Sequence, residues 1–234
     1  TAYRSAPDAP LGPREGSWAG RLERAAERMT GRHVVATNSG TAALIAALKA
    51  LDLPVGAEVV TSPYTFSATA AAIVHAGLTP VFADVHWDTF CLDPKSVSEV
   101  ADVSMAAILP VDLFGHLGSY WPYRHFKVPV VEDACQAVGP AMVTSLRREL
   151  AHWQAAAWSF NGAKNIPAGE GGALVTDNKE IAGRARLWIS HGENWDELGV
   201  GLNGRLNELT ACVAYFGLLN VHKMNAWRRR LALA

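Results

Sequence analysis

His33-Val34-Val35-Ala36-Thr37-Asn38-Ser39-Gly40-Thr41 passes from an apolar, β-branched run into the opening of a helix with no spacer between them. Four apolar or β-branched residues in a row favour a strand buried on both faces. Ser39 is a preferred helix N-cap, and Thr41 to Leu51 is rich in Ala and Leu, the strongest helix formers. A strand that hands over to a helix this quickly is the first half of a βαβ unit.

The same alternation continues along the chain. Short β-rich runs recur at His33 to Ala36, Glu58 to Thr61, Pro80 to Ala83, Ala106 to Pro110, Val128 to Val131, Ala155 to Phe160 and Ala173 to Thr176. Helical patterns cover Trp18 to Met29, Thr41 to Leu51, Phe66 to His75, Pro94 to Ala101, Leu117 to Tyr123 and Thr144 to Leu150. Two more follow at Asn178 to Ser190 and Arg205 to Asn225, the last with Leu206, Leu209, Val213, Phe216 and Leu219 on one side. Doubly apolar strands alternating with helices predict an α/β fold, a three-layer αβα arrangement around a mostly parallel sheet of about seven strands. Gly172 to Thr176 follows the preceding strand by about ten residues, too few for a helical crossover, which points to an antiparallel partner there.

The 234 residues suit one large domain or one and a half at roughly 150 residues per domain. Half of them are hydrophobic and 18% are charged, enough apolar material for a buried core. Twenty-one Lys and Arg against 22 Asp and Glu leave a formal charge of −1, which gives no broad field for nucleic acid or an anionic membrane. No apolar stretch approaches the ~20 residues that span a bilayer. Thr1 to Arg14 lacks the apolar centre of a signal peptide, so the expected location is cytoplasmic, and Thr at position 1 suggests a trimmed start. Cys91, Cys135 and Cys212 form no CxxC and read as three reduced thiols. The eight histidines have no tight ligand spacing, so no metal site is expected. The eight tryptophans read as core and interface packing, and Arg228-Arg229-Arg230 as a solvated helix end.

In an open α/β sheet ligands gather at the carboxyl ends of the strands. Those ends are polar here: Ser39-Gly40-Thr41, Ser62 to Phe66, Asp84, Asp112, Glu132-Asp133, and Ser159 followed by Lys164. Ser39-Gly40-Thr41 offers helix N–H groups and two hydroxyls, which suits a phosphate and equally an ordinary N-cap. It is neither a P-loop nor a GxGxxG fingerprint. Lys164, before the glycine-dense Gly169-Glu170-Gly171-Gly172, is either a solvated charge or an amine able to form a Schiff base. Asp133 is either an N-cap for Ala134 to Val138 or a buried carboxylate that needs a cation such as a protonated pyridine nitrogen. With an aromatic ring after the second strand, these parts together suit pyridoxal 5′-phosphate (PLP).

Longer segments carry a resemblance. They are Asn38 to Leu44, Val59 to Thr69, Thr79 to Asp84, Leu109 to Gly115, Val131 to Ala137, Ser159 to Thr176, His191-Gly192 and Gly201 to Glu208. In this order, from about Trp18 to Arg230, the chain resembles the DegT/StrS-type aminotransferases of sugar-nucleotide and aminocyclitol biosynthesis, which are fold-type-I PLP enzymes. The resemblance implies that Lys164 forms the Schiff base and that Asp133 pairs with the pyridine nitrogen. It further implies that Phe66 stacks on the ring, that Gln136 lies near the phenolic oxygen, and that Gly40, Thr41 and Ser159 hold the phosphate. Asn203 would reach the phosphate of a neighbouring subunit, giving a homodimer with a shared active site. The implied reaction moves an amino group from an amino acid, glutamate or glutamine, to a keto group on a nucleotide-linked sugar or cyclitol.

Three features depart from the family pattern. Gly204 stands where an aromatic residue commonly follows the asparagine, which would loosen the intersubunit loop. Thr144 to Trp153 is unusually rich in Arg, Glu and His. The family continues into a smaller C-terminal domain, so the expected organisation is an N-terminal segment, 1–16, and a PLP-binding large domain, 17–234, with the small domain absent or truncated. The competing expectation is a non-catalytic PLP-binding homologue or partner subunit. A fold-type-I lyase fits the matched segments less well.

Overall fold

The computed structural model describes residues 16–117, 121–139, 153–192 and 200–234. Its elements in chain order are α1 (Trp18–Thr30), β1 (His33–Thr37), α2 (Gly40–Ala50), β2 (Glu58–Thr61), α3 (Ala68–His75), β3 (Thr79–Phe82), α4 (Pro94–Val100), β4 (Met105–Leu109), β5 (Val130–Asp133), β6 (Trp153–Ser159), β7 (Gly172–Thr176), α5 (Lys179–Ile189) and α6 (Glu208–Ala232). The strands form one sheet in the order β1-β7-β6-β5-β4-β2-β3. Only β7 runs against its neighbours, pairing antiparallel with β1 and β6, as its short connection to β6 requires.

Period-two burial divides the core into two layers. Val34, Ala36, Val60, Ile108, Ala156 and Trp158 face α1 and α6 on one side of the sheet. Val35, Val59, Ala107, Leu109, Ala155, Ala157 and Leu174 face α2, α3 and α5 on the other. This is the expected αβα arrangement. The caps explain where several helices start: Ser17, Ser39, Asp93, Asn178 and Asn207 each accept a backbone N–H of the first turn.

Arg186 fastens α5 to α1 and β1. Its Nη1 and Nη2 donate to Glu23 Oε1 and Oε2 at 3.0 and 2.8 Å, and Nη2 also donates to the Val34 carbonyl at 2.7 Å. Glu23 is buried and accepts the Ala36 N–H as well. Burial nevertheless outweighs the guanidinium and raises the Glu23 carboxyl above its ordinary value.

Some sequence expectations need correction. The last helix turns four of the expected core residues outward: Leu209 is 85% exposed, and Val213, Phe216 and Leu219 are each about half exposed. Its buried face is Ala211, Ala214, Leu218 and Val221. Small residues win because they let α6 approach closely; a Cβ on Gly217 would lie 2.8 Å from Ile166 Cγ2. The fifth strand lies two residues later than expected, at Val130–Asp133, because Glu132 and Asp133 complete its pairing with β6. Among the described residues no helix follows Asp133 directly; residues 134–139 are turns and irregular backbone. Where Leu117 to Tyr123 reads as a helix, the described part holds a 3₁₀ segment at Trp121–Phe126 instead. Thr144 to Leu150 lies outside the described residues. Trp153 and Trp158 are buried and Trp18 stacks on Tyr215 and Phe216, but Trp87 and Trp227 are largely exposed.

Candidate active site

Several of the polar residues singled out above meet beyond the carboxyl ends of β5 and β6, at the start of α2. Asp133 ends β5 with 6% of its surface exposed. Its Oδ1 accepts the Cys135 N–H at 3.1 Å, and its Oδ2 accepts the Thr69 hydroxyl at 2.7 Å. A carboxylate has about four acceptor sites, so capacity remains for a cationic N–H. The strand assignment and these bonds resolve the two readings of Asp133: it is a buried carboxylate and not a helix cap.

Gly40 opens α2 directly against the ends of β5 and β6. A Cβ added there would lie 2.9 Å from both Ser159 Cβ and Cys135 Sγ, so only glycine lets the helix terminus come this close. Ser39 Oγ takes the Ala42 N–H at 3.0 Å. Among the described residues the N–H groups of Gly40 and Thr41 meet no acceptor, as is usual in a first helical turn. Ser159 Oγ accepts the Asn161 N–H at 3.3 Å, which leaves its own proton to donate. Helix N–H groups and a hydroxyl packed this closely fit a phosphate group.

Lys164 is half-buried on the loop between β6 and β7. That loop is tightly bonded: Phe160 N–H to the Gly171 carbonyl, Gly162 N–H to the Gly169 carbonyl, and Lys164 N–H to the Asn161 carbonyl. From α6, Asn225 Oδ1 accepts Asn165 Nδ2 at 3.0 Å and Arg228 Nη1 donates to the Asn165 carbonyl at 3.2 Å. Arg228 is thus more than a solvated helix end. The Lys164 ammonium acts electrostatically on the Cys135 thiol, favouring its ionisation. Burial and the Asp133 carboxylate prevail, however, and push that thiol well above its usual range.

Gln136 Oε1 accepts the Phe114 N–H at 2.9 Å. A backbone N–H only donates, so the amide nitrogen of Gln136 keeps its protons for another acceptor. Phe114 holds an unusual φ of 56° at this contact and closes an aromatic row, Tyr64, Phe90 and Phe114, with centroids 5.7 and 6.2 Å apart. Phe66 stands 69% exposed just before α3. Asn203 is exposed, and its carbonyl accepts Asn38 Nδ2 at 3.1 Å beside the α2 terminus. Gly204 does not loosen this strip. It is buried and bonded to Ile189 and Asn38, and a side chain there would press on Ile189 at 3.0 Å. Thr69 and Cys135 are the two site residues that sequence reasoning missed.

A family profile matches residues 13–234 and is described as the DegT/DnrJ/EryC1/StrS aminotransferase family. The chain belongs to this family. Among its DegT/DnrJ/EryC1/StrS relatives, the 3-oxo-glucose-6-phosphate:glutamate aminotransferase of Bacillus subtilis is 34% identical over 78% of this chain and 42% of its own. The spore coat polysaccharide biosynthesis protein SpsC of the same organism is 39% identical over 69% of this chain and 42% of its own. The chain therefore spans about half the length of the curated relatives it matches. Two solved structures place the fold among the fold-type-I PLP aminotransferases. DesV of S. venezuelae, in complex with a ketimine intermediate, superposes with a TM-score of 0.85 at 31% identity, covering 93% of this chain and 60% of that one. NtdA of Bacillus subtilis, with bound cofactor PMP, gives 0.80 at 29% identity, covering 90% and 49%.

Proposed function

We propose that this chain forms the cofactor-binding large domain, residues 17–234 after an N-terminal segment 1–16, of a PLP-dependent aminotransferase. The enzyme would carry an amino group from glutamate or glutamine to a keto group on a nucleotide-linked sugar or cyclitol. The observation that carries this reading is the buried Asp133 carboxylate at the end of β5, next to the Gly40–Ser159 contact and on the same rim as Lys164. When bound, PLP supplies an aldehyde that condenses with amines and a pyridinium ring that withdraws electrons from the attached carbon.

In this reading Gly40 and Thr41 donate N–H groups to the phosphate, and Ser159 donates its hydroxyl. Phe66 would cover one ring face. The Gln136 amide nitrogen donates to the phenolic oxygen, its oxygen being engaged by Phe114. The Asp133 carboxylate, with acceptor capacity left beside its bonds to Cys135 and Thr69, would pair with the protonated ring nitrogen and stabilise its charge. Lys164 would hold the aldehyde end of the cofactor through its Nζ and, once freed by the amino donor, would serve as the base and acid that moves a proton between the two carbons flanking the nitrogen. The glutamate donor and the oxo-sugar phosphate acceptor named for one Bacillus subtilis relative support an amino-acid donor and a keto-sugar acceptor.

We place the protein in the cytoplasm as a homodimer with the active site shared between subunits. Among the described residues no helix is long and apolar enough to cross a membrane. The exposed Asn203 and the exposed rings of Phe66 and Phe114 at the site's rim support a second copy closing the site. The test is spectroscopic. PLP-loaded protein is mixed with L-glutamate; loss of the visible cofactor band and gain of the PMP band supports amino transfer, and a band indifferent to several amino donors opposes it.

A further inference from the structure

Thr69 is fully buried, second in α3, and holds three parts of the site at once. Its Oγ1 donates to Asp133 Oδ2 at 2.7 Å. The same oxygen meets Thr65 Oγ1 at 2.8 Å, and the Thr69 N–H donates to the Phe66 carbonyl at 3.1 Å. Asp133 in its ionised form only accepts, so the Thr69 proton points to Asp133 and Thr65 must supply the proton for the second bond. The two threonines thereby clamp the turn carrying Phe66 and tie it to the carboxylate 64 residues away.

We propose that Thr69 is a positioning residue that sets the Phe66 ring and the Asp133 carboxylate in one fixed relation, so that a pyridine ring is stacked and charge-paired together. A buried carboxylate held by one donor alone, the Cys135 N–H, can rotate about its last bond. The second donor removes that freedom, and the Phe66 carbonyl contact carries the constraint to the aromatic ring. Thr69 touches neither cofactor nor substrate in this scheme; it acts through Asp133 and Phe66.

The inference rests on the PLP reading above, and the test separates the two. Full-length wild type, Thr69→Val, Thr69→Ser and Thr65→Val are titrated with PLP, and visible circular dichroism of the bound cofactor reports how rigidly the ring is held. Wild type binds and gives an induced band. Thr69→Val binds roughly tenfold more weakly, the order of one hydrogen bond to a charged group, with a diminished band. Thr69→Ser, which keeps the hydroxyl, returns both to near wild type, and Thr65→Val falls between. Unchanged affinity and dichroism in Thr69→Val, or a Thr69→Ser as impaired as the valine variant, overturns the inference while leaving the PLP reading intact. If Thr69→Val does not fold, a Thr65→Val indistinguishable from wild type overturns it. Wild type that binds no PLP overturns the cofactor reading itself, and this inference with it.

Discussion

Gly40 and Ser159 approach so closely that a methyl group on Gly40 would lie 2.9 Å from the Ser159 Cβ. The helix terminus and the end of β6 are in contact because one of them has no side chain. Gly40→Ala must push them apart or move Cys135 as well. The expected cost is about 1–3 kcal/mol of stability, the range for overpacking a close-packed site. Urea unfolding measures it, and a PLP titration of the same variant should show weaker binding than wild type.

The Glu23–Arg186 pair gives a pH dependence with a definite sign. The Glu23 carboxyl titrates above its ordinary value of 4.5 in the folded protein, so the folded state keeps the proton longer than the unfolded chain does. Its contribution to stability is full below the unfolded value and is lost as pH rises through the folded one. Relative to Glu23→Gln, wild type should lose stability as pH climbs from about 4.5. Glu23→Gln has no proton to lose at this position, so the difference in slope between the two proteins carries the test. Arg186→Met, which strands the buried carboxylate, should cost about 3–5 kcal/mol in a chemical denaturation.

Cys135 lies within the site yet should be chemically quiet. Its thiol is pushed well above 9.0 by burial and by Asp133, and the thiolate is the reactive form. Iodoacetamide at neutral pH should therefore label Cys135 far more slowly in the folded than in the unfolded protein, as read by peptide mass spectrometry. Equal labelling in the two states would contradict the environment described here.

The fold was legible where strand and helix signals agreed at a junction. At β1 and α2, the apolar run and the Ser39 cap point to the same boundary within a residue. The short β6–β7 connection likewise announced the antiparallel strand. Where signals conflict the expectation fails: the charges of Glu132 and Asp133 mark a strand end, yet the strand continues through them. The face of α6 was misread because hydropathy ranks Leu209 and Phe216 above Ala211 and Ala214, whereas close packing selects the small residues. Site residues next to glycine or at strand ends stood out by type and place. Thr69 could not, since a threonine in an Ala-rich helix carries no spacing signal for a partner 64 positions on.

The central claim is that Lys164 is the amine that holds the cofactor. The direct measurement loads the protein with PLP, reduces it with borohydride, and locates the pyridoxyl group by peptide mass spectrometry. The account predicts a single modified peptide carrying the label on Lys164, and no visible cofactor band in Lys164→Ala. A label on Lys49, Lys95 or another lysine, or a band that persists in Lys164→Ala, would contradict it.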